Sequence, residues 1–277
     1  MIELGRINTL RIAKEVDFGV YLDGGEAGEI LLPFNYIPEG AKLGDEVDVL
    51  IYRDSEDRLI ATNETPYAFV DDFALLECVD VSSVGAFLDW GLSKDILVPF
   101  REQKTKMQKG RSYIVYIYVD KSTDRIVASA KIDKFISEYQ APYEAGDKVE
   151  ALVVDKTDIG YKIIVDNLFW GVLYENEVFT DLKIGQKLEA YIKKVRDDGK
   201  IDLTIHRFGY RKVEDGFDPI LHKLEENNGV LYVSDKSSPD EIYEMFEMSK
   251  KTFKKALGGL FRQKLIMIYE DRIEKVN

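Results

Sequence analysis

The chain has 277 residues, of which 45% are hydrophobic, and this is enough for roughly two to four small domains with their own cores. Its one cysteine, Cys78, excludes a disulfide framework within the chain, and no segment is typical of a signal peptide or a membrane span, so we expect a soluble, cytoplasmic protein that does not bind membranes. The formal charge of −13 argues against a nucleic-acid-binding surface that extends over the whole molecule. The distribution of charge along the chain is therefore more informative about function than the total charge.

A short pattern with a glycine among apolar residues occurs three times, at residues 17–22, 83–88 and 158–163. Each copy is followed by a turn and an apolar strand, and then by a glycine turn and two strands in which apolar and polar residues alternate. This repeat predicts three diverged copies of one five-stranded β unit rather than one large β domain. We place the three units at residues 1–66, 67–140 and 141–215.

The first unit has two aromatic residues beside its glycine, Phe18 and Tyr21. They lie on opposite faces of an ideal strand, but a bulge at Gly19 would bring them to one face, where the two rings would offer a platform for stacking bases. The alternative is that at least one ring belongs to the core. Residues 1–66 hold 6 basic and 14 acidic residues, and this surplus of negative charge favours the alternative because it repels phosphate.

The second unit keeps one of these rings, Phe87, and has Val84 where the first unit has Phe18. A positively charged loop precedes its fourth strand, but no aromatic residue lies among the cations. We therefore interpret this loop as a solvated surface segment; its basic residues are Lys104, Lys106, Lys109 and Arg111.

The third unit combines rings with positive charge, which is the combination that single-stranded nucleic acid requires, because cations hold phosphates while rings stack on bases. Residues 145–215 hold 12 basic and 14 acidic residues, so the unit is nearly balanced in charge. The alternative is an ordinary charged surface. The candidate nucleic-acid-binding residues are Tyr161, Phe169, Trp170, Lys193, Lys194, Arg196, Arg207, Arg211 and Lys212.

Residues 216–277 change to helical periodicity. The order helix, short strand, helix, tight turn, helix and hairpin predicts a winged helix-turn-helix domain. The third helix, from Lys250 to about Lys264, contains no acidic residue, and we expect Phe253, Leu257, Leu260 and Phe261 to form its core face. Its cations would then face solvent as candidate nucleic-acid-binding residues or as a merely solvated face: Lys250, Lys251, Lys254, Lys255, Arg262 and Lys264.

These features together carry a resemblance. The glycine–aromatic bends, and the endings with a basic residue, Ile or Leu, two further residues and Ser or Thr at 58–62, 125–129 and 200–204, resemble the S1 RNA-binding module, an OB-fold repeat. Three such modules followed by a winged helix with residues 248–258 in its third helix resemble the conserved virulence factor B family of bacteria. The resemblance covers essentially the whole chain. It predicts a mainly β protein with three tandem five-stranded OB-fold barrels and an α+β winged helix domain.

The resemblance implies a cytoplasmic RNA-binding protein that influences bacterial gene expression and has no known catalytic chemistry. It also implies that Phe18, Tyr21, Phe87 and Tyr161 are the platform rings. RNA-binding S1 modules usually have a histidine on the strand after the bend, and here those positions are occupied by Pro33, Pro99 and Tyr174. We therefore expect the first two units to act mainly as a spacer or a protein-docking surface.

Few features indicate catalysis. His206 and His222 are the only histidines, no His/Cys spacing is typical of zinc, and no phosphate-binding loop is present, so we expect neither an enzyme nor a metal or cofactor. A metal-dependent nuclease built on clustered acids remains an alternative. Our leading hypothesis is a non-catalytic protein that binds single-stranded RNA mainly through the third unit and the winged helix. The alternatives are a duplex-DNA-binding regulator that acts through the winged helix, and a scaffold whose acidic units bind basic partners such as ribosomal proteins.

Overall fold

The computed structural model describes residues 2–175, 178, 181–205, 217–262 and 264–276. It confirms the predicted fold class, since three closed five-stranded barrels are followed by a winged helix domain. The chain divides into two compact units, Met1–Arg207 with the three barrels and Phe208–Asn277 with the winged helix.

The first barrel has the strand order β1-β2-β3-β5-β4. Neighbouring strands are antiparallel except β3 and β5, which pair in parallel at Leu31 and Ile60. Alternating apolar side chains such as Val47, Val49 and Ile51 fill the interior, as expected for strands with one buried face. The strands are β1 (Ile7–Val16), β2 (Gly19–Asp23), β3 (Glu29–Pro33), β4 (Glu46–Arg53) and β5 (Leu59–Thr62).

The second and third barrels repeat this topology. In each, the third and fifth strands pair in parallel and the remaining neighbours are antiparallel. The strands are β6 (Phe73–Val81), β7 (Gly85–Leu88), β8 (Ile96–Pro99), β9 (Ser112–Asp120), β10 (Arg125–Ser129), β11 (Lys148–Thr157), β12 (Gly160–Val165), β13 (Phe169–Tyr174), β14 (Lys187–Val195) and β15 (Ile201–Thr204).

The glycine of the repeated pattern opens the second strand of every barrel. Gly19, Gly85 and Gly160 have φ angles of 157°, 156° and 141°. A Cβ atom at any of them would lie 2.3 Å from the carbonyl oxygen of the third strand, which belongs to Leu32, Val98 or Leu173. Only glycine permits this close approach, and the glycine therefore fixes the bend that closes the barrel.

The barrels pack against each other through side chains on their outer faces. Leu50 and Tyr52 of β4 are buried in a cluster with the core of the second barrel. The second and third barrels share a smaller apolar cluster around Phe73 and Ile164, against which Trp170 packs. Some side chains that point out of their own barrel are therefore buried or half-buried against the neighbouring barrel.

The winged helix domain has a three-stranded sheet in the order β16-β18-β17 and three helices. Ser238 forms a capping box with Glu241 at the start of the second helix, and Ser249 Oγ accepts a hydrogen bond from Thr252 N at the start of the third. The elements are α1 (Phe217–Glu226), β16 (Val230–Leu231), α2 (Pro239–Phe246), α3 (Lys250–Arg262), β17 (Ile266–Ile268) and β18 (Ile273–Lys275).

Candidate nucleic-acid interface

Each barrel presents the outer surface of its second and third strands, and we call these surfaces the first face (β2–β3), the second face (β7–β8) and the third face (β12–β13). OB-fold barrels bind oligonucleotides on this surface. The strand register aligns the three faces residue by residue. The central outward position is occupied by Tyr21, Phe87 and Lys162, and the position opposite the glycine by Pro33, Pro99 and Tyr174.

The first face carries three rings. Phe18 is exposed and contacts the half-buried Tyr21 edge to face, with 6.4 Å between ring centroids, so both rings lie on one side; the register shift of this strand pair lies between Ile12 and Lys14 and not at Gly19. Phe34 is 71% exposed, and its backbone N–H donates to the carbonyl of Phe18. Sequence reasoning missed Phe34, although the repeated Pro-Phe pair after the third strand was a usable signal. Lys14 lies 5.9 Å from the Tyr21 ring centroid.

The second face is similar in shape but not in charge. Phe87 is half-buried at its centre, and Val84 is exposed at its edge. Phe100, the counterpart of Phe34, is 44% exposed and was also missed by sequence reasoning. Asp80 stands beside Phe87 where the first face has Lys14.

The third face corrects two predictions. Tyr161 is only 3% exposed and Phe169 only 4%, so neither ring is available to stack on a base. Tyr161 directly follows its glycine, and in the register this position points inward, as it does for Val20 and Ala86. Phe169 lies in the core cluster of the third barrel.

Trp170 lies at the junction between the second and third barrels rather than on an open platform. It is half-buried, and the Nζ of Lys162 lies 3.6 Å from its ring centroid. Lys162 also forms a 3.4 Å ion pair with Asp133 of the second barrel. These contacts hold the ring against the junction.

Tyr174 is the half-buried ring that the third face does present. Arg196 donates from its guanidinium to the hydroxyl of Tyr174 and, at 2.8 Å from Nε, to Asp202 Oδ1. The hydrogen bond to Asp202 raises the pKa of Arg196, so the cation is held in place and permanently charged. Lys194 lies opposite Asp202 in the register, and Lys193 and Lys194 are both exposed. The predicted residues Arg207, Arg211 and Lys212 lie outside the described residues.

Helix α3 has a clear division between its sides. Phe253, Leu257 and Leu260 are buried as predicted, but Phe261 is 50% exposed, because one further residue rotates the side chain by about 100° around the helix and away from the buried side. Apart from Phe261, the exposed residues of α3 follow helical spacing and form one band, which we call the α3 stripe: Lys251, Lys254, Lys255, Gly258 and Arg262.

The remaining cations of this region differ in their surroundings. Lys250 is half-buried and its Nζ lies 3.4 Å from the carbonyl oxygen of Lys236. Lys254 lies 3.6 Å from Asp235, while Lys251 and Lys255 have no ion-pair partner within the described ranges. Lys264 is exposed beyond the end of α3 with a φ of 58°. The α3 stripe is therefore the densest band of accessible positive charge on this helix.

Two further properties of the described residues bear on function. No group of three or more His, Cys, Asp or Glu residues among them could hold a metal ion. None of the helices within the described ranges combines the length and apolar character of a membrane span.

Comparisons with known proteins give two family matches and several similar proteins. The S1 domain model matches residues 4–64 and 74–131, and the model of the CvfB-like winged helix domain matches residues 218–274. The uncharacterized protein YitL of Bacillus subtilis is 32% identical over 266 residues, which cover 93% of this chain and 89% of that protein. Conserved virulence factor B of Staphylococcus aureus is 26% identical over 239 residues, which cover 84% of this chain and 80% of that protein. A crystal structure of a multidomain protein with nucleic acid binding domains from Streptococcus pneumoniae is 25% identical with a TM-score of 0.42, and the alignment covers 99% of this chain and 98% of that one.

Proposed function

Since the chain belongs to the family of conserved virulence factor B, and its S1 and winged helix domains are nucleic-acid-binding domains, we propose that it is a non-catalytic protein that binds single-stranded RNA. We propose further that binding occurs mainly through the third barrel and the winged helix, and that it influences bacterial gene expression after transcription in the cytoplasm.

The α3 stripe is the observation that carries this proposal. Lys251, Lys254, Lys255 and Arg262 lie within one band of a single helix, and like charges at these spacings destabilise the helix unless a polyanion neutralises them. The buried Phe253 and Leu257 fix the opposite side of the helix, so the cations cannot turn away from solvent. A phosphate backbone supplies the required negative charge without demanding a base sequence.

The third face supports a single-stranded ligand. Arg196 supplies positive charge at the ring of Tyr174, and Lys194 lies opposite Asp202 in the register. The hydrogen bonds from Arg196 to Tyr174 and Asp202 orient this group before a ligand arrives. A ring beside fixed cations is suited to a base that is free to stack, which a base inside a duplex is not.

Duplex DNA is the second candidate ligand, because the α3 stripe offers phosphate contacts to it as well. The third helix of a winged helix-turn-helix domain is the one that enters the major groove of DNA. The first and second faces, with their exposed rings and negative surroundings, offer no such preference for a duplex. Competition between the two nucleic acids therefore separates the candidates.

Charge reversal on the α3 stripe tests the proposal. In the variant Lys251→Glu/Lys254→Glu/Lys255→Glu we expect the affinity for single-stranded RNA to fall by about tenfold or more, and the slope of log affinity against log salt to become shallower by about 2, because three phosphate contacts are lost. Fluorescence anisotropy of a labelled RNA over a range of salt concentrations measures both quantities.

The matched control changes charge equally elsewhere. Lys42→Glu/Lys121→Glu/Lys131→Glu alters three exposed lysines of the first two barrels, and we expect it to leave the salt slope unchanged. An equal loss of affinity in both variants would mean that only net charge matters and would overturn the proposed site. Stronger competition by duplex DNA than by single-stranded RNA would support the second candidate.

A further inference from the structure

The second face is an open sheet surface with apolar residues at its centre and edge. Phe87 is half-buried in the middle of β7, and Val84 and Phe100 are exposed at the end where the bend lies. The register places Leu97 directly across from Phe87. Apolar residues exposed next to each other on a sheet surface are compatible with a contact to another molecule.

Three carboxylates lie around Phe87, two of them at the end of the strand pair opposite to Val84 and Phe100. Asp80 lies opposite Phe87 across β6 and β7. Asp89 follows the buried Leu88, and Asp95 precedes the buried Ile96, so both point away from the core on the same side as Phe87.

The three carboxylates are close enough to affect each other. Partial burial and the charges of Asp89 and Asp80 raise the pKa of Asp95. Within the part of the chain that the structure describes, none of the three forms an ion pair. The carboxylate of Asp89 accepts hydrogen bonds from the Gly91 N–H and the Tyr67 hydroxyl, but neither group neutralises its charge, so a bound cationic group would relieve the repulsion.

The other two faces lack this combination. At the position of Asp80 the first face has Lys14, and Asp23 of the first face forms an ion pair with Arg11. The central residue of the third face is Lys162 instead of a ring. Among the described residues, Asp80, Asp89 and Asp95 of the second face form no ion pair, whereas cations stand beside the rings and one carboxylate of the first face, and the negative charge of the second face repels phosphate.

We propose that the second face binds an arginine-rich segment of a partner protein. A guanidinium group stacks on aromatic rings and donates two parallel hydrogen bonds to a carboxylate, so one arginine side chain satisfies both features of this surface. A lysine ammonium matches the charge but stacks less well and does not form the paired hydrogen bonds. We therefore expect the bound segment of the partner protein to be rich in arginine rather than in lysine.

Peptide binding to the full chain tests this proposal. A labelled peptide of alternating arginine and glycine is titrated with the protein, and a lysine–glycine peptide of equal length and charge serves as the comparison. We expect the arginine peptide to bind more tightly. Asp80→Asn/Asp95→Asn should weaken its binding by about tenfold, which corresponds to about 1.4 kcal/mol. Phe100→Ala should weaken it by about threefold, while the lysine peptide responds little to the loss of this ring.

The control has the same change in charge on a different surface. Glu39→Gln/Glu138→Gln removes two exposed carboxylates that lie off the second face, and we expect the affinity for the arginine peptide to stay within about twofold. Thermal unfolding of each variant establishes that the fold is intact. Equal weakening in the control, or equal binding of both peptides together with no effect of Phe100→Ala, would overturn the proposal.

Single-stranded RNA provides the remaining outcome. Asp80→Asn/Asp95→Asn should not weaken RNA binding, and the charge-reversed α3 stripe should not weaken peptide binding. If RNA displaced the peptide and the aspartate variant lost RNA affinity, the second face would be a nucleic-acid site and the proposal would be wrong. Because the two sets of variants act on different surfaces, either proposal can fail while the other stands.

Discussion

At the scale of single residues, the chemistry of each face depends on which side chains point outward, and a shift of one position along the strand reverses this direction. The residue directly after the glycine points inward in all three barrels, and the next one points outward. Tyr161 holds the inward position and Lys162 the outward one. The prediction that Tyr161 is a platform ring was therefore wrong, because it considered only that the residue is aromatic and close to the glycine. Counting positions from Gly160, rather than looking for aromatic residues, predicts the burial of Tyr161 from the sequence alone.

Glu102 shows how one buried charge makes stability depend on pH. Burial acts to raise the pKa of this carboxyl, but hydrogen bonds from Lys134 and Ser129 outweigh it, so the pKa lies below the usual value of 4.5. A folded-state pKa below that of the unfolded chain means that the carboxylate stabilises the fold above about pH 4.5, and that this contribution disappears as the pH falls through the folded-state pKa.

We therefore expect Glu102→Gln to lower the free energy of unfolding by about 1 to 2 kcal/mol at neutral pH. The difference from the unsubstituted protein should shrink as the pH falls below about 4.5. Urea unfolding at a series of pH values measures this difference. A gap that stays constant with pH would show that the loss comes from altered packing and not from the charge.

At the scale of elements, the strands and helices follow from local patterns. Alternation predicted the barrel strands, and helical periodicity predicted the buried side of α3 except at Phe261, where the helix is about to end. The junctions between barrels could not be predicted. Contacts with residues far away in sequence bury Leu50 and half-bury Trp170, and no local pattern separates such residues from those exposed on an isolated barrel.

The glycine bend is the element whose replacement has the clearest expected effect. In Gly85→Ala the new Cβ would lie 2.3 Å from the carbonyl oxygen of Val98, so β7 and β8 must separate. We expect a loss of about 2 to 3 kcal/mol in the free energy of unfolding, measured by urea denaturation.

Gly110→Ala is the matched control. Gly110 also has a positive φ, 78°, but a Cβ there would meet no atom within 4 Å. Only the conformational preference is lost, which costs about 1 kcal/mol. Equal effects of the two substitutions would contradict the view that close strand contact, rather than backbone conformation, requires glycine at the bend.

At the scale of the whole molecule, rings and positive charge are concentrated in different parts of the chain. The first face carries three rings in an acidic barrel, whereas the third face and the α3 stripe carry the cations. The sequence predicts the charge gradient because charge can be counted. It could not predict which rings are open, because Tyr161 and Phe169 lie in the core of the third barrel and Trp170 packs at the junction.

The junction between the second and third barrels should also make them unfold together. Phe135 stacks on Tyr116 at 4.0 Å between ring centroids and packs against the shared cluster. We expect Phe135→Ala to destabilise the three-barrel unit by about 2 to 3 kcal/mol and to split its calorimetric transition.

Tyr139→Ala is the control for this prediction, because the ring of Tyr139 is 85% exposed and its loss removes no packing. Its transition should match that of the unsubstituted protein. A single unchanged transition in Phe135→Ala would mean that the barrels are coupled by other contacts, such as the hydrogen bond from Asn167 to Asp72.

The recurring glycine has a consequence for how such a protein diverges. The glycine and a few inward-facing side chains determine the shape of each copy. The outward-facing side chains can therefore change with little effect on folding. Copies of one barrel can therefore acquire different surface chemistry, as Tyr21, Phe87 and Lys162 show at equivalent positions. An ancestral copy with uniform chemistry would need only surface substitutions, and no rearrangement of its backbone, to yield all three.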